Sequence, residues 1–171
     1  MSRSSLKAVV GDFPELFQKQ HILIIEGHYY EEIGAALLHG AINELESIGA
    51  SYTHVVVPGA LEIPQVLVQA LERDLIGIDA DEPKFTGVIV LGCVIRGETY
   101  HFEIVCTEAN RAIMDLTIAH VIPLGNGILT VDTYEQAFER ASDNCKGKGR
   151  EAARACLKLI EVAARFDGEI D

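Results

Sequence analysis

Gly87-Val88-Ile89-Val90-Leu91-Gly92-Cys93-Val94-Ile95, followed at once by Arg96-Gly97-Glu98-Thr99-Tyr100-His101-Phe102, decides the architecture of this chain. The first stretch carries no charge and is rich in β-branched residues, the pattern of a strand buried on both faces. The second is a polar turn that opens a helical pattern from about His101 to His120, with Ile104, Val105, Ala109, Ala112, Ile113 and Leu116 on its inner side. In an open parallel sheet, ligands bind just beyond the carboxyl ends of the strands. A helix N-terminus there offers free N–H groups and the positive end of its dipole to an anion. Arg96, Thr99 and His101 stand at that place.

Outward from this unit, strands and helices alternate. His21 to Glu26 reads as a first buried strand and Glu31 to Ile48 as a helix with Ile33, Leu37, Leu38, Ala41, Leu45 and Ile48 on one side, closed by Gly49. Tyr52 to Val57 is a second strand stopped by Pro58-Gly59, and Ile63 to Leu75 a helix with Pro64 in its first turn, where a missing N–H does no harm. Ile76 to Lys84 gathers three carboxylates and a proline and reads as an exposed acidic loop. A fourth strand is expected over Gly127 to Val131, then helices from about Thr133 to Ser142 and Gly149 to Arg165. The order predicts a single three-layer α/β/α sandwich, flavodoxin-like, on a four-stranded parallel sheet. The boundaries expected are an N-terminal arm over 1–20, one domain over 21–166 and a short tail over 167–171. The arm, with its apolar piece Val9 to Pro14, is expected to pair with a neighbouring subunit as an added N-terminal strand.

Composition agrees with one core: 171 residues with 49% apolar types fill one domain and not two. The net charge of −12 argues against nucleic acid or an anionic membrane as partner, and an anionic ligand would need a local basic pocket. No apolar run approaches the roughly 20 residues of a membrane span, and the first residues lack a signal-peptide core, so a cytoplasmic protein is expected. Cys93, Cys106, Cys145 and Cys156 are scattered and read as reduced thiols.

Four segments collect the candidate chemistry: Gly27-His28-Tyr29-Tyr30, Pro58 to Pro64, Arg96 to His101, and Pro123-Leu124-Gly125-Asn126-Gly127. All four are expected along one edge of the sheet. Tyr29 offers an aromatic face to a planar heterocycle, although an aromatic at a helix entry also serves as a staple on the core. Glu62 either favours a helix dipole or contacts a ligand. His101 has a pKa range suited to proton transfer near neutrality, against the plainer reading of a capping imidazole. Arg140 is either a two-pronged phosphate ligand or a cation at a helix C-terminus. Lys146 and Lys148 occupy a glycine-bearing turn, with nothing to suggest a desolvated, Schiff-base lysine. Cys93, His101 and Cys106 match no zinc spacing, and no metal or cofactor is expected.

Taken together, Pro58 to Pro64, Leu91 to Phe102, Gly127 to Val131 and Glu135 to Ala141 resemble lumazine synthase of riboflavin biosynthesis, over about His21 to Ala164. The resemblance implies condensation of 5-amino-6-(D-ribitylamino)uracil with 3,4-dihydroxy-2-butanone 4-phosphate to 6,7-dimethyl-8-ribityllumazine, with loss of phosphate and water. It implies that Tyr29 stacks on the pyrimidine while Ala60, Leu61, Glu62, Cys93, Val94 and Ile95 hold the ring and ribityl chain and Asn126 closes the pyrimidine side. Glu98, through its backbone, Thr99 and Arg140 would hold the phosphate, and His101 would move protons. It implies, too, pentamers with the active site between neighbouring subunits, sometimes paired or closed into shells. Tyr29, Tyr30 and Asn126 depart from the commoner residues at their positions. That keeps open a non-catalytic lumazine or flavin carrier, and a phosphosugar enzyme of other chemistry on the same sheet is the third reading.

Overall fold

Strands β1 (His21–Gly27), β2 (Ser51–Val57), β3 (Gly87–Ile95) and β4 (Leu124–Val131) pair side by side in the order β2-β1-β3-β4, all parallel. A computed structural model of the chain describes residues 14–144 and 146–170. Of the piece Val9 to Pro14 expected to pair with a neighbour, all but Pro14 lies outside the described residues, as does Cys145. Around the sheet run α1 (Pro14–Gln18), α2 (Glu31–Ser47), α3 (Ile63–Leu71), α4 (His101–Ala119), α5 (Tyr134–Ala141) and α6 (Lys148–Phe166), with a 3-10 turn at Ala60–Glu62 before α3.

Strand alternation assigns the layers. Ile22, Ile24, Ile89 and Leu91 point to a core shared with α2, α5 and α6, while Leu23, Ile25, Val88 and Val90 point to a second core under α3 and α4. The predicted α/β/α sandwich is the observed one. Among the described residues no helix is long and apolar enough to cross a membrane. The acidic loop is exposed at Asp79, Asp81 and Glu82 but anchored by buried Ile76 and Phe85.

Three boundaries differ from the sequence reading, each for a local reason. The arm expected over 1–20 is already helical at 14–18, because Phe17 is buried in the first core and Gln20 donates to the Leu16 carbonyl at 2.7 Å. Helix α3 stops at Leu71 and not Leu75. Asp74 takes a left-handed φ of 55°, and the Leu75 amide reaches back to the Ala70 carbonyl at 3.0 Å, a helix-ending geometry that usually announces itself with glycine. Strand β4 begins at Leu124 and not at Gly127, so Gly125 and Asn126 are strand residues. Gly125 is glycine because α6 lies against it: a Cβ there would sit 2.0 Å from the Ala152 carbonyl oxygen.

The same close approach recurs where α6 crosses α2, since a Cβ on Gly149 would come within 1.9 Å of the Leu37 carbonyl oxygen. That contact is backbone on backbone and no side chain can yield. Gly149→Ala is expected to destabilise the fold by about 3 kcal/mol, the upper end for overpacking, read as a lower urea midpoint at unchanged m-value.

Candidate active site

Beyond the carboxyl ends of β1, β2 and β3 the chain leaves a cavity of about 370 Å³. Its walls come from three connections. The β1–α2 turn supplies Tyr29 and Tyr30, the β2–α3 connection supplies Pro58 to Glu62, and the end of β3 supplies Cys93, Val94 and Ile95. Gly97, Thr99, His101, Phe102 and Val105 close the remaining side. The first two walls are pressed together: the His28 amide donates to the Val57 carbonyl at 2.8 Å, and a Cβ on Gly27 would stand 2.8 Å from the Gly59 carbonyl carbon.

Within the first wall the two tyrosines divide the roles left open by sequence. Tyr30 packs against the core and is the staple. Tyr29 is 72% exposed, with its ring 5.0 Å from that of Tyr30 in an edge-on arrangement at 68°, so one face is free toward the cavity mouth. Cys93 is buried at the base of the pocket, and burial, reinforced by Cys106, pushes its thiol up to about 11. Near neutral pH it is a neutral wall and not a nucleophile.

On the opposite side α4 is seated by Val105 and Ala109, which pack with Ala60 and draw in Leu61 and Val94. That contact sets the height of the helix start. His101 is exposed there, and its amide donates to the Thr99 hydroxyl at 3.5 Å. Arg96 has a different task. Its Nε donates to Asp132 at 2.8 Å, its Nη1 pairs with Glu103, and its guanidinium lies 4.3 Å over the Phe102 ring. It joins the ends of β3 and β4 to the first turn of α4 and is a structural clamp.

Of the residues named from sequence, Tyr29, Ala60, Leu61, Glu62, Cys93, Val94, Ile95, Thr99 and His101 line this cavity, while Glu98, Asn126 and Arg140 do not. Glu98 is exposed on the turn. Asn126 corrects the expectation that all four segments share one edge. It lies inside β4 opposite Val90, toward the entering end of the sheet, and donates to Asn110 on α4 at 2.7 Å. Arg140 sits on α5, across the sheet from His101, and donates to the Gln136 carbonyl at 3.0 Å. Lys146 and Lys148 are paired with Glu139 at 2.9 Å and Glu151 at 2.5 Å.

Sequence reading missed a charged group beneath the pocket. Glu26 is 2% exposed and accepts from His28 at 2.6 Å and His54 at 2.7 Å. The hydrogen bond to Glu26 raises the His28 pKa above its ordinary 6.5, against a smaller opposing effect of burial and with help from Glu31. The only signal in the sequence was a carboxylate on an otherwise apolar strand, with histidines two residues ahead and on the next strand.

With this geometry in place, similarity to known proteins becomes informative. Residues 19–164 match the family model of 6,7-dimethyl-8-ribityllumazine synthase. A protein of that name from Agrobacterium fabrum is 48% identical over 150 residues, covering 88% of this chain and 99% of the relative. Others from Methylocella silvestris and Azorhizobium caulinodans are 54% and 52% identical, each over 86% of its own length and 85% and 84% of this chain. Matches of this depth across nearly the whole chain mean that it belongs to the 6,7-dimethyl-8-ribityllumazine synthase family.

Proposed function

We propose that this chain is the enzyme that condenses 5-amino-6-(D-ribitylamino)uracil with 3,4-dihydroxy-2-butanone 4-phosphate, releasing phosphate and water and forming 6,7-dimethyl-8-ribityllumazine in riboflavin biosynthesis. The observation that carries the reading is the cavity itself: an aromatic face, an apolar cleft and a helix start converge in a chain about half identical to named synthases over its length. The unit that performs the reaction is residues 21–166. A phosphate ester does not cross a lipid bilayer unaided, so the enzyme works in the cytoplasm, where its substrate is made.

Each wall takes one part of the work. The pyrimidine stacks on Tyr29, and Ala60, Leu61, Glu62, Cys93, Val94 and Ile95 hold the ring and ribityl chain. The backbone at Glu98, the Thr99 hydroxyl and the start of α4 receive the phosphate. The substrate amine attacks the ketone of the second substrate, so the imine forms between substrates and no lysine adduct is needed. His101 stands where it can accept a proton from the attacking amine and return one as water or phosphate leaves. Orientation of two reactants accounts for most of the rate, and a fixed phosphate both aligns the ketone and stabilises the leaving anion.

Arg140 and Asn126 complete the site from another subunit, in a pentamer or a multiple of it. Their position outside the cavity of their own chain supports this reading, since α5 lies on the other face of the sheet from α4 and Asn126 meets α4 at Asn110, well along the helix from His101. Sedimentation is expected to give a mass that is a multiple of five subunits; a monomer active in dilute solution would contradict it.

The decisive test is incubation with both substrates while lumazine formation is followed optically. Turnover well above the spontaneous condensation is expected, and binding without turnover would favour a carrier. His101→Ala is expected to lower kcat on the order of 100-fold with little change in pyrimidine affinity; equal losses in both would remove it from proton transfer. Arg140→Ala is expected to raise the Michaelis constant of the phosphate substrate by about 10-fold or more, as loss of a charge-assisted pair does. An unchanged value would take Arg140 out of the phosphate site.

A further inference from the structure

Glu26 has no part in the chemistry above, yet it is buried and bonded to the turn that carries Tyr29. It occupies a position that strand alternation would give to another isoleucine, in line with Ile22 and Ile24 on the face covered by α2. The other buried carboxylates are held by permanent cations: Glu44 by Arg154 at 2.8 Å, Glu161 by Lys158 at 2.7 Å. Glu26 instead has both oxygens on imidazoles. A buried pair of this kind adds little net stability over an apolar residue, because the desolvation of the charges offsets their attraction. What it adds is fixed geometry.

The bonds run to the places that fix the pocket wall. One oxygen holds His28 Nδ1 at 2.6 Å, bridging Gly27, whose backbone already touches Gly59. The other holds His54 Nε2 at 2.7 Å, on β2 three residues before Val57, whose carbonyl accepts the His28 amide. Helix α2 is fitted to the same carboxylate, since a Cβ on Gly34 would lie 2.4 Å from Glu26 Oε1. The turn is thus tied to its own strand, to the neighbouring strand and to the helix it enters. Tyr29 is the next residue along.

We propose that Glu26 is a positioning residue for the pyrimidine wall: by holding His28 and His54 it sets the backbone of the Gly27–Tyr30 turn, and with it the plane of the Tyr29 ring, without touching substrate. The proposal rests on the reading of Tyr29 as the stacking face. It assigns His28 a task as well, that of transmitting the carboxylate's position to the turn. The raised pKa of His28 agrees with an imidazole held by a carboxylate.

The test is steady-state kinetics of the full chain with each substrate varied in turn. Native turnover is measured first; its absence would sink the functional reading itself. With an active native chain, Glu26→Gln keeps the volume and removes the charge. The pyrimidine Michaelis constant is expected to rise about 5- to 10-fold, with kcat and the constant for the phosphate substrate within about twofold of native. His28→Asn, which leaves Glu26 paired with His54, is expected to give the same split and carries the test if the glutamine variant does not fold. A purely structural carboxylate would lower the melting temperature and leave both constants unchanged, or weaken both alike. Either result overturns the proposal.

Discussion

The parallel pairing of β1 with β3 is the constraint from which the rest of this molecule follows. From β1 the chain crosses to β2 on one side, and from β3 it crosses to β4 on the other. Connections leaving adjacent strands in opposite directions part at the carboxyl end and leave a crevice that no loop fills. Both strands must be apolar on both faces for this to be stable, since helices cover each side. Ile22 to Ile25 and Val88 to Leu91 meet that demand and are almost wholly buried. The pocket is therefore a product of strand order before it is a product of any particular side chain.

Strand order also separates the two charged ends of the proposed site. His101 begins α4, which packs on the α3 face of the sheet, whereas Arg140 rides on α5, which packs with α2 on the other face. A four-stranded sheet stands between them. Under the proposed function the two meet across a boundary between copies of the chain, and the shape of the fold, not its flexibility, makes a single copy insufficient.

Most of this was legible in the sequence where a residue type has one physical use. The uncharged run of β3 and its polar exit located the sheet and the pocket, and Gly49, with φ 77°, closed α2 where a left-handed cap is needed. Legibility failed where one residue type has two uses. Gly125 stands ahead of the expected strand yet is there to let α6 approach, so Asn126 lies inside β4 toward its entering end and not beside the pocket. Asp74 and Val121 adopt left-handed φ values of 55° and 53° without being glycine, so they gave no stop signal. Glu26 stayed hidden because its partners come from a turn and from the neighbouring strand, and pairing across a sheet is not a property of either segment alone.

A chain of net charge −12 that binds a phosphate ester must overcome its own field locally. Screening limits the reach of that field to roughly 8 Å at physiological salt, so the carboxylates that matter are those near the pocket. Several of them are engaged, Glu103 and Asp132 by Arg96, Glu26 by two histidines and Glu32 by the Tyr134 hydroxyl, whereas Glu62 lines the pocket itself. Arg96, the cation closest in sequence to the turn, is consumed in this way and is not available to an anion. Under the proposed function, what meets the phosphate at the start of α4 is therefore the backbone there and the Thr99 hydroxyl, donors whose charge is partial. A site of that kind recognises a phosphate by geometry first and leaves the net charge of the binding step to a cation brought from elsewhere, the part that the proposed function gives to Arg140.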